Sequence, residues 1–287
     1  MQTLRECIED AARNKRAVGH FNFSNLETLR AIVEASRAVG VPVIAGLSEG
    51  ERSFVGVWQA VALVRSFRDE YEHPIFLNAD HSYSFDVVKE AIDAGFDSVI
   101  FDGAELPFDE NAATTKKCVA YARACGRDII VEGELGFIGS RSQVLKKIPD
   151  GVKISAEFLT TPADAMRFVK ETGVDMFAPA VGNMHGMLTG GVDPTLDTSR
   201  VRAIREAVGV PLVLHGASGN SAKDIRAAID AGVAVVHINT ELRVAYKAGL
   251  MRGLEESQDE IAPYKYLKEP LRAVGKVVEE KLKIFNI

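Results

Sequence analysis

The sequence predicts an α/β fold of the (β/α)8, or TIM-barrel, kind. Three observations carry that expectation. Eight short apolar runs alternate with longer helical patterns along 287 residues, with no linker between them. The apolar runs, among them VPVIAGL, DSVIF, DIIVE, PLVLH and VAVVHI, lack apolar–polar alternation, as parallel strands buried on both faces do. Polar residues capable of chemistry stand where most of these runs end, the place that feeds active-site loops in such a barrel. An open doubly wound sheet is the runner-up, and it would gather its polar residues at a single crevice.

The elements follow in order. A charged, amphipathic N-terminus without an apolar signal core precedes strand 17–21. Helix 25–38 starts at Asn25, a good N-cap, and leads to strand 42–47 and helix 52–71. Strand 74–79 is followed by helix 84–94, which opens at Ser84 and ends at Ala94-Gly95, where glycine supplies a left-handed terminal turn. Strand 97–101 precedes helix 109–125, with Asp109 near its start, and strand 128–132 comes next. The stretch 136–160 mixes glycine with charge and is expected to be a mobile active-site loop. Helix 162–172 begins at Thr161, ends at Thr172-Gly173 and leads to strand 174–179; helix 198–208 leads to strand 211–215. Helix 221–231 opens at Ser221, ends at Ala231-Gly232 and precedes strand 233–238. Two extra C-terminal helices, 241–257 and 266–284, follow; the second is amphipathic and either closes the barrel or packs on another subunit. The chain, 1–287, reads as a single domain.

Composition narrows the function. The chain is 47% hydrophobic and 26% charged, enough apolar material for a large core. A net charge of −6 without a concentrated basic patch argues against nucleic-acid binding. No stretch approaches the ~18 apolar residues of a membrane span. Cys7, Cys118 and Cys125 form no CxxC pair and read as packing residues of a cytoplasmic protein.

Five of the six histidines fall where strands are expected to end: His20, His81, His185, His215 and His237. Imidazoles from remote positions converging on one rim suggest a metal; core histidines satisfied by hydrogen bonds are the alternative. Other polar groups share the rim: Asn22, Asn78, Asp80, Asp102, Glu132, Glu134, Asn183, Asn239 and Thr240. Three neutral imidazoles suit zinc and leave a position open, and an adjacent aspartate can serve as acid or base. The turn Gly216-Ala217-Ser218-Gly219 precedes a helix, so its N–H groups can hold a phosphate; a plain strand–helix turn reads equally well.

Seven segments together resemble the class II, zinc-dependent fructose-bisphosphate/tagatose-bisphosphate aldolase family. They are FNFSNLE (21–27), ADH (79–81), FDGAELPFDEN (101–111), VEGELGFIG (131–139), GVDMFAPAVGNMHG (173–186), PLVLHGASG (211–219) and INTELR (238–243). The resemblance implies that His81, His185 and His215 hold Zn2+ or another divalent metal. It implies that Asp80 donates and accepts the proton at the C4 oxygen of a ketose phosphate. Asp102 and Glu134 resemble acidic residues at an alternative metal position. Gly186, Gly216 and Ser218 match a region that binds Na+ or K+ and the phosphate of dihydroxyacetone phosphate, and Ala217, Asn239 and Thr240 match further phosphate contacts. A phosphorylated sugar substrate and a homodimer or homotetramer are implied too. Glu132 is read as a barrel-interior ion pair, and Asn22 as either a substrate contact or a loop hydrogen bond. Non-catalytic sugar-phosphate binding and a zinc hydrolase are the competing functions.

Three departures from the family pattern touch the reaction. The family reads KVNxxTE at the last strand, so His237 stands where an asparagine contacts the reacting oxygens. Gly139-Ser140-Arg141-Ser142 lacks the carboxylate expected after a Gly-Gly pair, and none follows until Asp150. Pro263-Tyr264 stands where a Pro-Arg pair grips the distal phosphate, leaving Arg141, Lys146 and Lys147 as substitutes. In addition, Asn78 replaces a histidine and Ser82 a glycine. The expectation is an aldolase whose aldehyde partner differs from that of fructose bisphosphate.

Overall fold

A computed structural model describes residues 2–139, 143–148, 155, 158–189 and 193–287. Eight parallel strands close into a barrel: β1 (Val18–Asn22), β2 (Val43–Leu47), β3 (Ile75–Ser82), β4 (Ser98–Phe101), β5 (Ile130–Leu135), β7 (Met176–Pro179), β9 (Leu212–Leu214) and β10 (Val233–Ile238). They follow one another around the ring in chain order, and β1 pairs with β10 to close it. Two short strands, β6 (Val144–Leu145) and β8 (Met187–Leu188), pair with each other outside the barrel. The TIM-barrel expectation therefore holds.

Local chemistry sets the helices between the strands. Asn25, Ser84, Thr161 and Ser221 accept hydrogen bonds from the third residue of α2 (Leu26–Val39), α5 (Phe85–Ala94), α7 (Pro162–Thr172) and α9 (Ala222–Ala231). Asp109 does not cap: α6 (Phe108–Ala124) starts after Pro107, so Asp109 lies in its first turn, where a negative charge suits the helix dipole. The single helix expected at 52–71 is two, α3 (Glu49–Val55) and α4 (Val57–Tyr71). They part at Gly56, whose φ of +92 breaks the helical path.

Two apolar layers hold the fold. The larger lies between sheet and helices. The smaller fills the barrel's lower interior, where Val18, Ile44, Phe76, Ile130, Met176 and Val213 meet Leu4, Cys7, Ile8 and Ala11 of α1 (Leu4–Arg13). Burying Leu4 and Ile8 contributes on the order of 1.5–3 kcal/mol each relative to exposure. A capping box between Thr3 and Glu6 starts α1, which seals the end where the strands begin and leaves the other end for chemistry. At the last turn of the ring, α12 (Lys268–Phe285) packs on α2 and on α10 (Thr240–Glu256), burying Val274, Val278, Leu282 and Phe285. This packing within the chain is one of the two roles expected for the amphipathic helix.

The expected loop at 136–160 is described only in part, and Ser140, Arg141, Ser142 and Asp150 lie outside the described residues. Lys146 and Lys147 are exposed. The three cysteines are unbridged. Among the described residues no helix is long and apolar enough to cross a membrane.

Candidate active site

The carboxyl ends of the strands deliver the polar set. In β3, alternation sends Asn78 and Asp80 to the same face and His81 to the other. The ladder with β4 shifts between Ala79 and Ser82, and His81 adopts φ +42, a left-handed conformation costly for a residue with a Cβ. That turn brings His81 into the pocket beside Asp80, with Nε2 and Oδ1 3.5 Å apart. Arg52, almost wholly buried, secures the segment by donating to Leu47 O at 2.6 Å, Asp80 O at 3.0 Å and Ser82 Oγ at 2.9 Å.

Eleven of the residues named above line one pocket: Asn22, Asp80, His81, His185, Gly186, His215, Gly216, Ser218, His237, Asn239 and Thr240. Asp102 and Glu134 line a neighbouring pocket and reach His81 from the far side. Ala217 is fully buried in the main apolar layer, so its methyl group packs there, away from the pocket.

The imidazoles of His81, His185 and His215 gather closely. One nitrogen from each lies within 4.8 Å of the others, so small side-chain shifts bring all three to one ion with bonds of about 2.0–2.1 Å. Each ring has committed its other nitrogen. His81 Nδ1–H donates to Asp102 Oδ2 at 3.0 Å, His185 Nδ1–H to the carbonyl of Gly139, and His215 Nε2–H to Glu132 Oε1 at 2.6 Å. Such outer partners fix tautomer and orientation in metal sites, and here they leave His81 Nε2, His185 Nε2 and His215 Nδ1 as the donors. The residues fit a divalent ion, and the three imidazoles suit zinc.

The electrostatics agree. Asp80, Glu132, Glu134 and the more open Asp102 surround the imidazoles, and Asp80 Oδ1, Glu132 Oε2 and Glu134 Oε2 are buried without a hydrogen-bond partner. Burial disfavours a charge on His81, yet Asp80, Glu134 and Asp102 outweigh it and hold the ring well above the ordinary histidine range. That is the signature of a place that calls for a cation. Burial raises Asp80 as well, but His81, His237 and His20 overcome it and keep the carboxyl well below its usual value. Glu134 is pushed up to about 7 by burial and by Asp102. Burial lowers His185 to about 4, with His81 adding to the shift. His215 is lowered and Glu132 raised, both chiefly by burial, so their contact tends to a neutral pair.

On the phosphate side, Gly216 has φ +61, and a Cβ there would stand 2.2 Å from Met184 O. Only glycine lets the turn after β9 pass against the segment that carries His185.

Some residues of the site escape a reading of strand ends. Glu51, in α3, accepts from Asn22 Nδ2 at 2.8 Å and from Arg243 Nη2 at 2.6 Å, while Asn22 also donates to Asp80 Oδ2 at 2.8 Å. The signal for Glu51 was available: Ser48-x-x-Glu51 is a capping-box pattern, and Ser48 N donates to Glu51 Oε2 at 2.8 Å. Nothing in the sequence marks Arg52.

A closed (β/α)8 barrel with an imidazole cluster, an adjacent aspartate and a glycine turn defines the class as a barrel enzyme with a candidate metal site. The family profile described as fructose-bisphosphate aldolase class-II matches residues 2–287, and the chain belongs to that family. It is accordingly an aldolase, a carbon–carbon lyase acting on a phosphorylated sugar. A fructose-bisphosphate aldolase of Staphylococcus aureus (strain Mu50 / ATCC 700699) is 37% identical over 287 residues, covering 99% of this chain and 96% of the relative. The crystal structure of the YdjI aldolase from Escherichia coli K12 superposes with a TM-score of 0.82 at 32% identity, over 98% of this chain and 96% of that one. Fructose-bisphosphate aldolase from Campylobacter jejuni gives a TM-score of 0.82 at 21% identity, over 99% and 94%, which speaks for the fold alone.

Proposed function

We propose that this aldolase joins dihydroxyacetone phosphate to an aldehyde, and cleaves the resulting ketose phosphate, with zinc held by His81, His185 and His215. The observation that carries the reading is the outer hydrogen bonding of the three clustered rings, which leaves one uncommitted nitrogen on each. When bound there, a divalent ion would supply Lewis-acid stabilisation of the negative charge that develops beside the substrate carbonyl.

The protein's own groups handle the oxygen-bound proton and the phosphate; the carbon-bound proton of dihydroxyacetone phosphate requires a further base, because Gly139-Ser140-Arg141-Ser142 carries no carboxylate. Asp80, ionised and anchored by Asn22, takes the C4 hydroxyl proton in cleavage and returns it to the aldehyde oxygen in condensation. Gly186, Gly216, Ser218, Asn239 and Thr240 surround the place for the phosphate, fixing the carbonyl against the imidazole cluster. Ala217 contributes through its backbone. The turn also suits a monovalent cation, Na+ or K+. Asp102 and Glu134 support His81 and offer an alternative metal position. His237, in place of an asparagine, shapes the reacting end of the pocket, and the aldehyde partner differs accordingly from that of fructose bisphosphate. The chain works as one domain within a homodimer or homotetramer.

Deuterium incorporation into dihydroxyacetone phosphate alone, followed by NMR in D₂O, tests this without assuming the aldehyde. Exchange that requires zinc is expected. A zinc-loaded protein that binds the compound yet exchanges nothing would sink the proposal.

A further inference from the structure

One buried group near the pocket is given no contact with the substrate in the chemistry above. His20 is fully buried in β1, and the β1–β10 register sets it directly opposite His237. The two rings stack with centroids 3.5 Å apart and planes 8° from parallel. Behind them the arrangement is built for His20 alone. Its Nε2–H donates to Asn78 Oδ1 at 3.1 Å, and Asn78 Nδ2 donates to Ser98 Oγ at 2.7 Å, which fixes both the amide and the tautomer. The ring occupies space left by Gly46 on the adjacent strand, where a Cβ would stand 2.1 Å from His20 Cε1.

His20, Asp80 and His237 bring ligand atoms within 4.8 Å of one another, so a second metal site is the obvious alternative. The stack argues against it. A metal lies in the plane of each ligating ring, and two parallel rings face to face point their lone pairs side by side, without convergence. The same stack is well suited to holding a flat group in one orientation.

We infer that His20 is a positioning residue of the aldolase site. It acts through His237, whose ring it clamps flat so that Nδ1 faces Asp80 Oδ1 across 3.5 Å, at the wall of the pocket. Ser98, Asn78 and His20 form a line of support from the barrel interior to a side chain that meets the substrate. This rests on the proposed function for the identity of the reaction, though the clamp itself does not.

The test uses the zinc-loaded protein, wild type, His20→Ala and His20→Phe, with ¹⁵N-labelled histidine. Removing the ring is expected to shift the ring-nitrogen signals of His237, keep zinc at the wild-type ratio, and slow exchange into dihydroxyacetone phosphate about ten- to a hundredfold. KM should change by no more than about threefold, as expected when a group acts on the reaction step more than on binding. His20→Phe, which keeps a flat ring, should recover most of the rate. Unchanged His237 signals and an unchanged rate in His20→Ala would overturn the inference. So would His20→Phe as slow as His20→Ala, because His20 would then act through its ring nitrogens and not as a flat clamp. If wild type exchanges nothing, the aldolase reading fails, and the His237 signals alone still decide whether His20 holds that ring.

Discussion

Glu132 and His215 meet at 2.6 Å inside the barrel, both almost completely shielded from solvent. The contact commits Nε2 of the imidazole and leaves Nδ1 as its uncommitted nitrogen. An acceptor in that relation to a histidine fixes its tautomer and ring orientation. Glu132→Ala should therefore reduce zinc affinity roughly ten- to a hundredfold, while Glu132→Gln, which keeps an acceptor, should lose far less. Competition with a chromophoric chelator measures both, and equal affinities in all three proteins would refute the relation.

Asp80→Asn should keep the fold and zinc, because Asn22, Arg52 and the backbone still define the segment. The rate of aldol cleavage should fall on the order of 10²–10⁴-fold, the usual worth of a positioned acid–base group. Steady-state kinetics with zinc quantified in the same samples separates this outcome from metal loss.

Removing the metal with a chelator should abolish exchange and lower the unfolding temperature, because an ion that binds only the folded chain stabilises it by mass action. At a hundred times Kd the contribution is about 2.7 kcal/mol. Calorimetry at increasing zinc should show a rising midpoint; a midpoint indifferent to zinc would count against a site among these histidines.

Gly216→Ala should be costly even though it adds one methyl group. The new Cβ would press on Met184 O, and φ +61 is unfavourable for alanine. Backbone shifts there move His185 and the turn after His215 together, so zinc content and phosphate binding should decline in parallel. Isothermal titration with inorganic phosphate and metal analysis would show it.

Asp197 caps α8 (Thr198–Val208), accepting from Arg200 N at 3.0 Å and from Ser199 Oγ at 2.6 Å. The Ser199 hydroxyl is the main cause of its lowered pKa. Because the folded-state value is depressed, the cap contributes fully above the unfolded pKa of about 3.9 and fades as the pH falls below it. Asp197→Ala should cost about 1 kcal/mol at neutral pH. The difference in melting temperature between the two proteins should hold from mildly acidic to neutral pH and shrink below about pH 4.

The barrel was legible because its signals are local. Apolar runs mark strands, and Asn25, Ser84, Thr161 and Ser221 mark helix starts through bonds to their own backbone neighbours. Gly56 was missed because one glycine leaves the helical periodicity of 49–71 intact, although its positive φ divides the segment. The plugging role of α1 was missed because an amphipathic face does not say what it will cover. Strand-end residues were legible as a group, and eight of them share a pocket. The direction of His81 was not, since strand alternation points it away from Asp80 and only the ladder shift reverses that. Glu132 was expected inside the barrel as half of an ion pair; its partner is His215, and burial of both favours a neutral contact.

The pairing of β1 with β10 also orders events in time. His20 and Asn22 belong to the first strand made, His237 to the last. During synthesis the early histidines wait without the wall that completes their pocket, and non-local pairing of this kind comes late in folding. A chain synthesised through His215 holds every proposed metal-binding histidine but lacks closure. Newly made protein should therefore gain its tightest hold on metal only after release, which couples metal loading to completion of the polypeptide.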